Sequence, residues 1–413
     1  MEKVTFIHVA DLHLDSPFKG LGTMLHEKIV GKMKESSFHS LHEIVTTAIK
    51  RNVDFVLFAG DIYDSESRSI RAQVKFQDEM MRLQKAGIEA YVIHGNHDYI
   101  VANQASLQLP DNVHVFEKQE VEAKEYWKNG EHVANIYGFS YASRAVTENM
   151  TPYYTRRGHA PFHIGMLHGS VESNTTHSSY APFTIRELKE KEFHYWALGH
   201  IHMREVLCEE PPIIYSGNIQ GRHRKELGEK GCYYVELTPF GSTYTFIPTA
   251  SIEWKRVEVN IEGIEDIQAL TTHCSNLLEE ERIEGKGVVL SLQFTGYGPI
   301  SSFLKDINET TELLSTLVEY EEERDDFIAI VRVDDATTNY ESREQLKEGD
   351  HFIRELLDVI DGYEDVDTTL TPLLGNTLVK KVHLTLTAEE KEEMIEEAER
   401  LLLNDLLKGG GNK

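Results

Sequence analysis

At 413 residues, 40% of them hydrophobic, with a mean hydropathy of −0.39 and a formal charge of −27, the chain reads as a globular protein of one large domain and a smaller one. Its longest apolar runs, VDFVLFAG and FHYWALG, are far too short to cross a bilayer, which excludes a membrane-spanning role. So acidic a balance also excludes simple coating of nucleic acid, which needs Lys and Arg to displace counterions.

The three cysteines (Cys208, Cys232, Cys274) form no CxxC pair, and the opening MEKVTFIHVADLH enters a strand pattern without a signal-peptide layout. Both features point to a reducing compartment, the cytoplasm by default. The sequon-like Asn174-Thr175-Thr176 carries no meaning there. The acidity is uneven: residues 1–250 hold 31 acidic and 26 basic side chains, residues 251–413 hold 38 and 16. The two parts are therefore different objects, and the bulk charge does not decide the partner of the first. The seam is expected near Pro239–Pro248, where FGSTYTFIPT reads as irregular before SIEWKRVEVNI. There is no repeat of fixed period, no GxxxxGK[ST] phosphate loop, and no low-complexity tract beyond the terminal GGGNK.

In chain order, short apolar runs alternate with helix-like segments, the pattern of an α/β layered domain. A strand over Val4–Ala10 is followed by Asp11-Leu12-His13. A helix around Met24–Lys50 leads to Val53–Ala59, followed by Gly60-Asp61. A second helix over Ser69–Ala86 leads to Glu89–His94, followed by Gly95-Asn96-His97-Asp98. The runs His163–Leu167 and His194–Leu198 are followed by His168-Gly169 and Gly199-His200-Ile201-His202. Each run thus ends in Asp, Asn or His, usually beside a glycine that lets backbone approach a ligand. Carboxyl ends of strands are where α/β sheets place their sites.

Asp11, His13, Asp61, Asn96, His168, His200 and His202 offer imidazole, carboxylate and amide, with no thiolate. That mixture suits first-row divalent ions rather than a cysteine-bound structural zinc. Seven ligands exceed the needs of one ion and suit two, with Asp61, alone on its loop, as the natural bridge. Singly, each motif has an ordinary reading: Asp-x-His is common, Asp61 suits a helix cap, and GHIH suits surface histidines. All five together, in order and at strand ends, do not.

The motifs DLH, GD, GNHD, GMLHG and GHIH resemble the signature of calcineurin-like metallophosphoesterases over roughly residues 1–240. More narrowly, FIHVADLHLDSPF, AGDIYD and YWALGHIH…IIYSGNIQGR…GEKGC resemble the DNA repair exonuclease branch, with its SbcD-like and YhaO-type members. The resemblance implies a four-layer α-β-β-α sandwich over residues 1–245 with a dimetal site on the sheet edge. It implies two divalent ions, manganese preferred. Asp11, His13 and His202 would hold one, Asn96, His168 and His200 the other, and Asp61 would bridge them. His97 would protonate the leaving oxygen, oriented and kept cationic by Asp98. Relatives in archaea and eukaryotes carry a further histidine shortly after GD, where this chain has Asp61-Ile62-Tyr63-Asp64; no role is assigned to Asp64.

The implied function is a DNA exonuclease, with endonuclease activity possible in the same site, acting in repair with an SMC-like ATPase. The rivals are a phosphatase or cyclic-nucleotide phosphodiesterase on small substrates, and a non-catalytic scaffold. Ser216, Asn218 and Arg222, with His223 and Arg224 following, are candidate contacts to a backbone phosphate. Arg156 and Arg157, in TPYYTRRGH, are candidates for a second contact to single strands. Expected partners are DNA, the ATPase and a second copy of the chain, with no membrane.

Residues 251–385 read as an acidic α+β domain, placed by resemblance where the family has its cap. In LKEGDHFIRELLDVID, Phe352, Leu356, Leu357 and Ile360 share one face. Residues 386–413 read as an amphipathic helix, reaching about Lys408, and a tail. Thr387-Ala388-Glu389-Glu390 is a capping box, and Met394, Ile395, Ala398, Leu401, Leu402 and Leu406 form a stripe opposite Glu392, Glu393, Glu396, Glu397 and Arg400. The stripe either packs on its own domain or docks to a coiled coil of the ATPase.

Overall fold

The computed structural model describes residues 3–18, 25–64, 68–100, 107–172, 180–338, 343–349, 351–363, 365–374 and 386–407. The sequon-like stretch, Met24, Lys408 and the GGGNK tail lie outside them. Packing divides the chain into two units. The first is Met1–Lys255, Arg282–Leu290 and Tyr320–Val331; the second is Arg256–Glu281, Ser291–Glu319 and Arg332–Lys413.

The first strand, β1 (Val4–Val9), is buried along its whole length. A strand apolar on both faces must lie inside a layered fold, and β1 does. It pairs in parallel with β2 (Phe55–Ala59), and β2 pairs in parallel with β3 (Glu89–Ile93). With β4 (Val113–Val115), β11 (Gly231–Thr238) and β12 (Gly241–Pro248) they form a six-stranded sheet, order β12-β11-β1-β2-β3-β4. The second sheet has β5 (Glu122–Lys128), β6 (Glu131–Gly138), β7 (Phe162–His168), β8 (Tyr195–Gly199), β9 (Glu205–Glu209) and β10 (Pro212–Tyr215), order β5-β6-β7-β8-β10-β9.

Phe6, Phe55, Leu57 and Tyr91 of the first sheet interleave with Ile136, Ile164, Met166 and Tyr195 of the second. One polar pin crosses this core: His8 Nδ1 lies 2.9 Å from the Tyr195 hydroxyl, and Nε2 lies 3.1 Å from the Leu198 carbonyl. On the outer face of the first sheet, α1 (Glu27–Arg51) and α2 (Ile70–Lys85) present Leu41, Ile44, Val45, Phe76 and Met80 to Ile7, Val9, Val56 and Phe58. Asn52 in the left-handed region (φ 49°) ends α1, and the Ser69 hydroxyl, accepting from Ala72 N–H, starts α2. The outer face of the second sheet is covered more thinly, by the short α3 (Ile185–Glu190) and by Tyr141, Met150, Tyr154 and Phe193 from irregular chain. The α-β-β-α order of layers is the expected one, and its fourth layer is mostly loop.

The expected seam is corrected. The stretch read as irregular is β12, paired with β11 from Gly241 to Pro248. Its Thr/Tyr/Thr/Phe alternation is that of an edge strand with one half-buried face. Packing instead divides the chain at Lys255, and segments 282–290 and 320–331 belong with the first unit, where Ile252, Trp254, Val289 and Phe327 pack with Ile29 and Met33.

The second unit has α+β character. Of the three-stranded sheet β13 (Ile252–Asn260), β14 (Gly287–Thr295) and β15 (Ile328–Asp335) it holds residues 256–260, 291–295 and 332–335, and its helices include Ile267–Glu281, Ile307–Leu317, His351–Asp361 and Ala388–Leu407. In the last helix the capping box forms: Glu390 N–H donates to the Thr387 hydroxyl and Thr387 N–H to the Glu390 carboxylate. The helix packs through Leu403 on Ile353 and Leu357, and Arg343 binds Glu399 at 2.7 Å. The buried face is therefore not the expected stripe. Arg400, expected opposite, faces Asp335 at 3.9 Å, while Met394, Leu401, Leu402 and Leu406 are exposed. Phe352 is likewise exposed, and Ile353 is buried in its place. No helix among the described residues is long and apolar enough to cross a membrane.

Candidate metal centre

The parallel strands of both sheets bring their carboxyl ends to one edge. Asp11 N–H donates to the Gly60 carbonyl and His13 N–H to the Asp61 carbonyl, each at 3.0 Å, joining the loops after β1 and β2. Gly169 N–H donates to the Gly199 carbonyl at 3.1 Å, joining those after β7 and β8. Four of the seven clustered residues sit in the left-handed region, Asp11 (φ 52°), His13 (φ 43°), Asp61 (φ 51°) and His200 (φ 98°), as do Asp15 (φ 64°) and Arg68 (φ 42°) on the same loops. Such backbone costs about 1–3 kcal/mol per residue and concentrates at functional sites.

Two groups converge around Asp61. In the first, His13 Nε2 faces His202 Nε2 at 3.0 Å and lies 3.7 Å from Asp61 Oδ2. Ligand atoms of Asp11, His13 and His202 all lie within 4.8 Å of one another. In the second, His168 Nε2 lies 3.0 Å from Asn96 Oδ1 and 3.4 Å from Asp61 Oδ2, and His200 Nδ1 lies 3.2 Å from the same Asn96 oxygen. The tautomers are dictated by outer contacts. His168 Nδ1 donates to the Ala59 carbonyl, and His202 Nδ1 donates to Glu226 Oε1 at 2.6 Å. In the neutral rings Nε2 is then a lone pair facing other lone pairs, an arrangement that a cation or a proton must relieve. The donor set fits divalent ions. Without one, Asp61 draws a proton onto His168: burial lowers that imidazole, but the carboxylate outweighs it and lifts it to about 9. His13, by contrast, is brought to about 3 by burial and the Arg222 charge.

The glycines are sized to this cluster. A Cβ on Gly95 would lie 2.4 Å from Asp61 Oδ1 and 2.5 Å from His168 Nε2, and one on Gly60 would lie 2.3 Å from His168 Nδ1. Only a bare backbone admits the His168 ring.

Comparison with known proteins agrees with this geometry. Residues 4–204, which include all seven clustered side chains, match the family model described as calcineurin-like phosphoesterase. The chain is 38% identical over 404 residues to the uncharacterized metallophosphoesterase YhaO of Bacillus subtilis, covering 98% of each protein. The chain belongs to the calcineurin-like phosphoesterases. It is also similar to the DNA double-strand break repair protein Mre11 of Sulfurisphaera tokodaii, at 24% identity over 68% of this chain and 69% of that protein. The Mre11 of Archaeoglobus fulgidus is 21% identical over 95% of this chain and 87% of its own length. This phosphoesterase is thus a hydrolase of phosphoester bonds from a family that binds divalent metals.

Other expected residues of the phosphoesterase stand differently. His97 is half-buried beside the cluster: its N–H donates to Asp61 Oδ1 at 2.9 Å and its ring lies 4.9 Å from that of His13. Its expected partner is wrong. His97 Nδ1 donates to the Asp64 carbonyl at 2.9 Å, while Asp98 accepts from Ile62 and Gly95 N–H and lies 2.9 Å from His94 Nδ1. The tight turn points the Asp98 carboxylate back under the strand ends, away from His97. Asp98 is a brace of the loop.

Ser216 and Asn218 are buried and turned inward. The Ser216 hydroxyl donates to the Gly217 carbonyl at 3.2 Å, and the Asn218 amide donates to the Gln220 carbonyl and Glu226 Oε2, each at 2.9 Å. They shape the loop that carries Glu226, and their side-chain donors are taken up within it. Arg222 does reach the cluster, with Nη2 at 3.0 Å from Asp64 Oδ1; His223 and Arg224 are exposed. Arg156 and Arg157 lie elsewhere. The Arg157 carbonyl accepts from Asn135, which pairs across the sheet with His163, five residues along β7 from His168, roughly 16 Å at about 3.3 Å per residue. They are not among the residues gathered at the cluster.

Two residues of the centre carried no expectation. Glu226 fixes the His202 ring; burial would raise its carboxyl, but the His202 hydrogen bond and charge bring it down to about 2. Asp64 sits with Oδ1 3.4 Å from His13 Nδ1. Their side chains meet the histidines only after loops distant in sequence close, and no local spacing announces that.

Proposed function

We propose that the chain is a metal-dependent DNA nuclease that hydrolyses phosphodiester bonds by two-metal catalysis, with manganese preferred. The observation that carries this reading is the convergence of two ligand groups on one carboxylate, Asp61, in a chain similar to proteins named for DNA double-strand break repair. Asp11, His13 and His202 would hold one ion, Asn96, His168 and His200 the other, and Asp61 would be shared between them. When bound, the ions supply Lewis-acid charge and lower the pKa of the attacking water. The chain's own residues do the rest. Glu226, the Ala59 carbonyl and the glycines fix the imidazoles so that Nε2 of His168 and His202 point inward. His97 donates Nδ1–H to the Asp64 carbonyl, which leaves Nε2 as the ring atom for the chemistry; in the imidazolium form its Nε2–H hands a proton to the leaving oxygen.

End-labelled DNA, a phosphodiester (bis-p-nitrophenyl phosphate) and a phosphomonoester, each in Mn²⁺ or Mg²⁺ with Asp61→Ala as control, test the reading. Degradation of DNA by the parent protein alone supports it. Turnover confined to the small esters overturns it in favour of a phosphatase or small-substrate phosphodiesterase.

The exposed line of Met394, Leu401, Leu402 and Leu406 supports an SMC-like ATPase as partner, docked by a coiled coil on the face that Leu403 leaves outward. A chain lacking residues 388–413 is expected to keep metal-dependent nuclease activity and lose co-purification with such an ATPase. Undiminished co-purification would remove this assignment.

A further inference from the structure

Asp64 and Arg222 come together beside the cluster from two loops, each about one-fifth exposed, with Arg222 Nη2 at 3.0 Å from Asp64 Oδ1. The remaining guanidinium donors, Nε and Nη1, are buried and have no hydrogen-bond partner among the described residues. A guanidinium stays charged at every working pH, and its fork of donors matches the oxygens of a phosphate. The backbone beneath it is equally fixed: Arg222 N–H donates to Glu226 Oε2 at 2.7 Å, and the other Glu226 oxygen accepts from His202. Asp64 meanwhile offers its carbonyl to His97 Nδ1 and its carboxylate to Arg222 and to His13 Nδ1, 3.4 Å away. One residue therefore touches the proposed proton donor, a histidine of the proposed metal site and the guanidinium of Arg222.

We propose that Asp64 and Arg222 form a single phosphate clamp, in which Arg222 binds a non-bridging oxygen of the scissile phosphate through Nε and Nη1 and Asp64 is the positioning residue that holds the guanidinium there. The proposal rests on the metal-centre reading above. It gives Asp64 a function of its own: an anion that holds a cation in place. No bond is made or broken by either residue; the clamp orients the phosphate and takes up charge as it develops on the equatorial oxygens.

A double-mutant cycle on the manganese-loaded full chain tests it, with D64A, R222A and the double variant read by calorimetric titration of inorganic phosphate. R222A is expected to weaken phosphate binding about 10- to 100-fold, the range for one hydrogen-bonded ion contact. D64A weakens it less, and the double variant binds no worse than R222A alone. Added guanidinium is expected to restore bis-p-nitrophenyl phosphate hydrolysis to R222A but not to the double variant. Manganese content stays at the parent level in all three. The clamp is overturned if R222A binds phosphate as the parent does, if the two losses multiply in the double variant, or if D64A sheds manganese, which would make Asp64 a support for His13 alone. A parent protein that neither binds phosphate nor hydrolyses the ester would overturn the metal-centre reading as well, a pattern distinct from the other three.

Discussion

His97 and Gly95 are neighbours in one turn, yet they touch the centre through different atoms, and their variants should fail in different ways. His97→Ala removes a ring that hydrogen-bonds the Asp64 carbonyl and stands edge-on to His13, and it alters none of the seven clustered residues themselves. It should keep full metal content while turnover falls about 10²- to 10⁴-fold, the usual contribution of a positioned acid. Near-normal turnover would show that another group delivers the proton. Gly95→Ala should do the reverse, losing metal first, because its Cβ would stand 2.4 Å from Asp61 Oδ1; elemental analysis of the purified variant reads this directly. The seven clustered residues were legible because each follows an apolar run and most sit beside a glycine, a local pattern that strand-end geometry makes meaningful. Asp98 and Glu226 were not legible. Which histidine a carboxylate meets depends on how a turn is rotated or a distant loop closes, and here Asp98 found His94 while Glu226 found His202.

Between elements, the contact most open to measurement is His8 of β1, the polar pin across the two sheets. Burial lowers its imidazole from 6.5 to about 3, so the folded chain refuses a proton that the unfolded chain accepts below pH 6.5. Stability from the neutral ring is thus fully present above that pH and falls as the pH drops toward 3. At about 1.4 kcal/mol per pH unit, roughly 2 kcal/mol should be lost on going from neutral pH to about pH 5. Urea unfolding of metal-free protein and of His8→Gln at both pH values isolates this share; equal losses in the two would assign it elsewhere. Most strands and the two long helices of the first unit were readable because hydrophobic period and caps agree with the packing. The strand β12 was not, since a Ser/Thr/Tyr-rich edge strand ending in Pro248 has the composition of a loop. The C-terminal helix was readable as a helix but not in its rotation: charge pairs of Arg343 and Arg400 help decide which face turns inward, and amphipathicity alone does not count them.

For the molecule as a whole, cysteine usage and packing make a simple joint prediction. Cys232 and Cys274 are buried, and burial pushes their thiols up to about 12 and about 11; Cys208 is half-exposed. Alkylation of the native protein near neutral pH should modify one thiol, and three after denaturation. Fast labelling of all three would mean that the cores around Cys232 and Cys274 open readily. The whole-molecule claim with most at stake, however, is that residues from five strand ends build a single centre for two cations joined by Asp61. Calorimetric titration of Mn²⁺ into metal-free protein tests it most directly. The account predicts two ions bound per parent chain, with Asp61→Ala losing high-affinity binding of both; a single ion in the parent, or two retained in the variant, would contradict it.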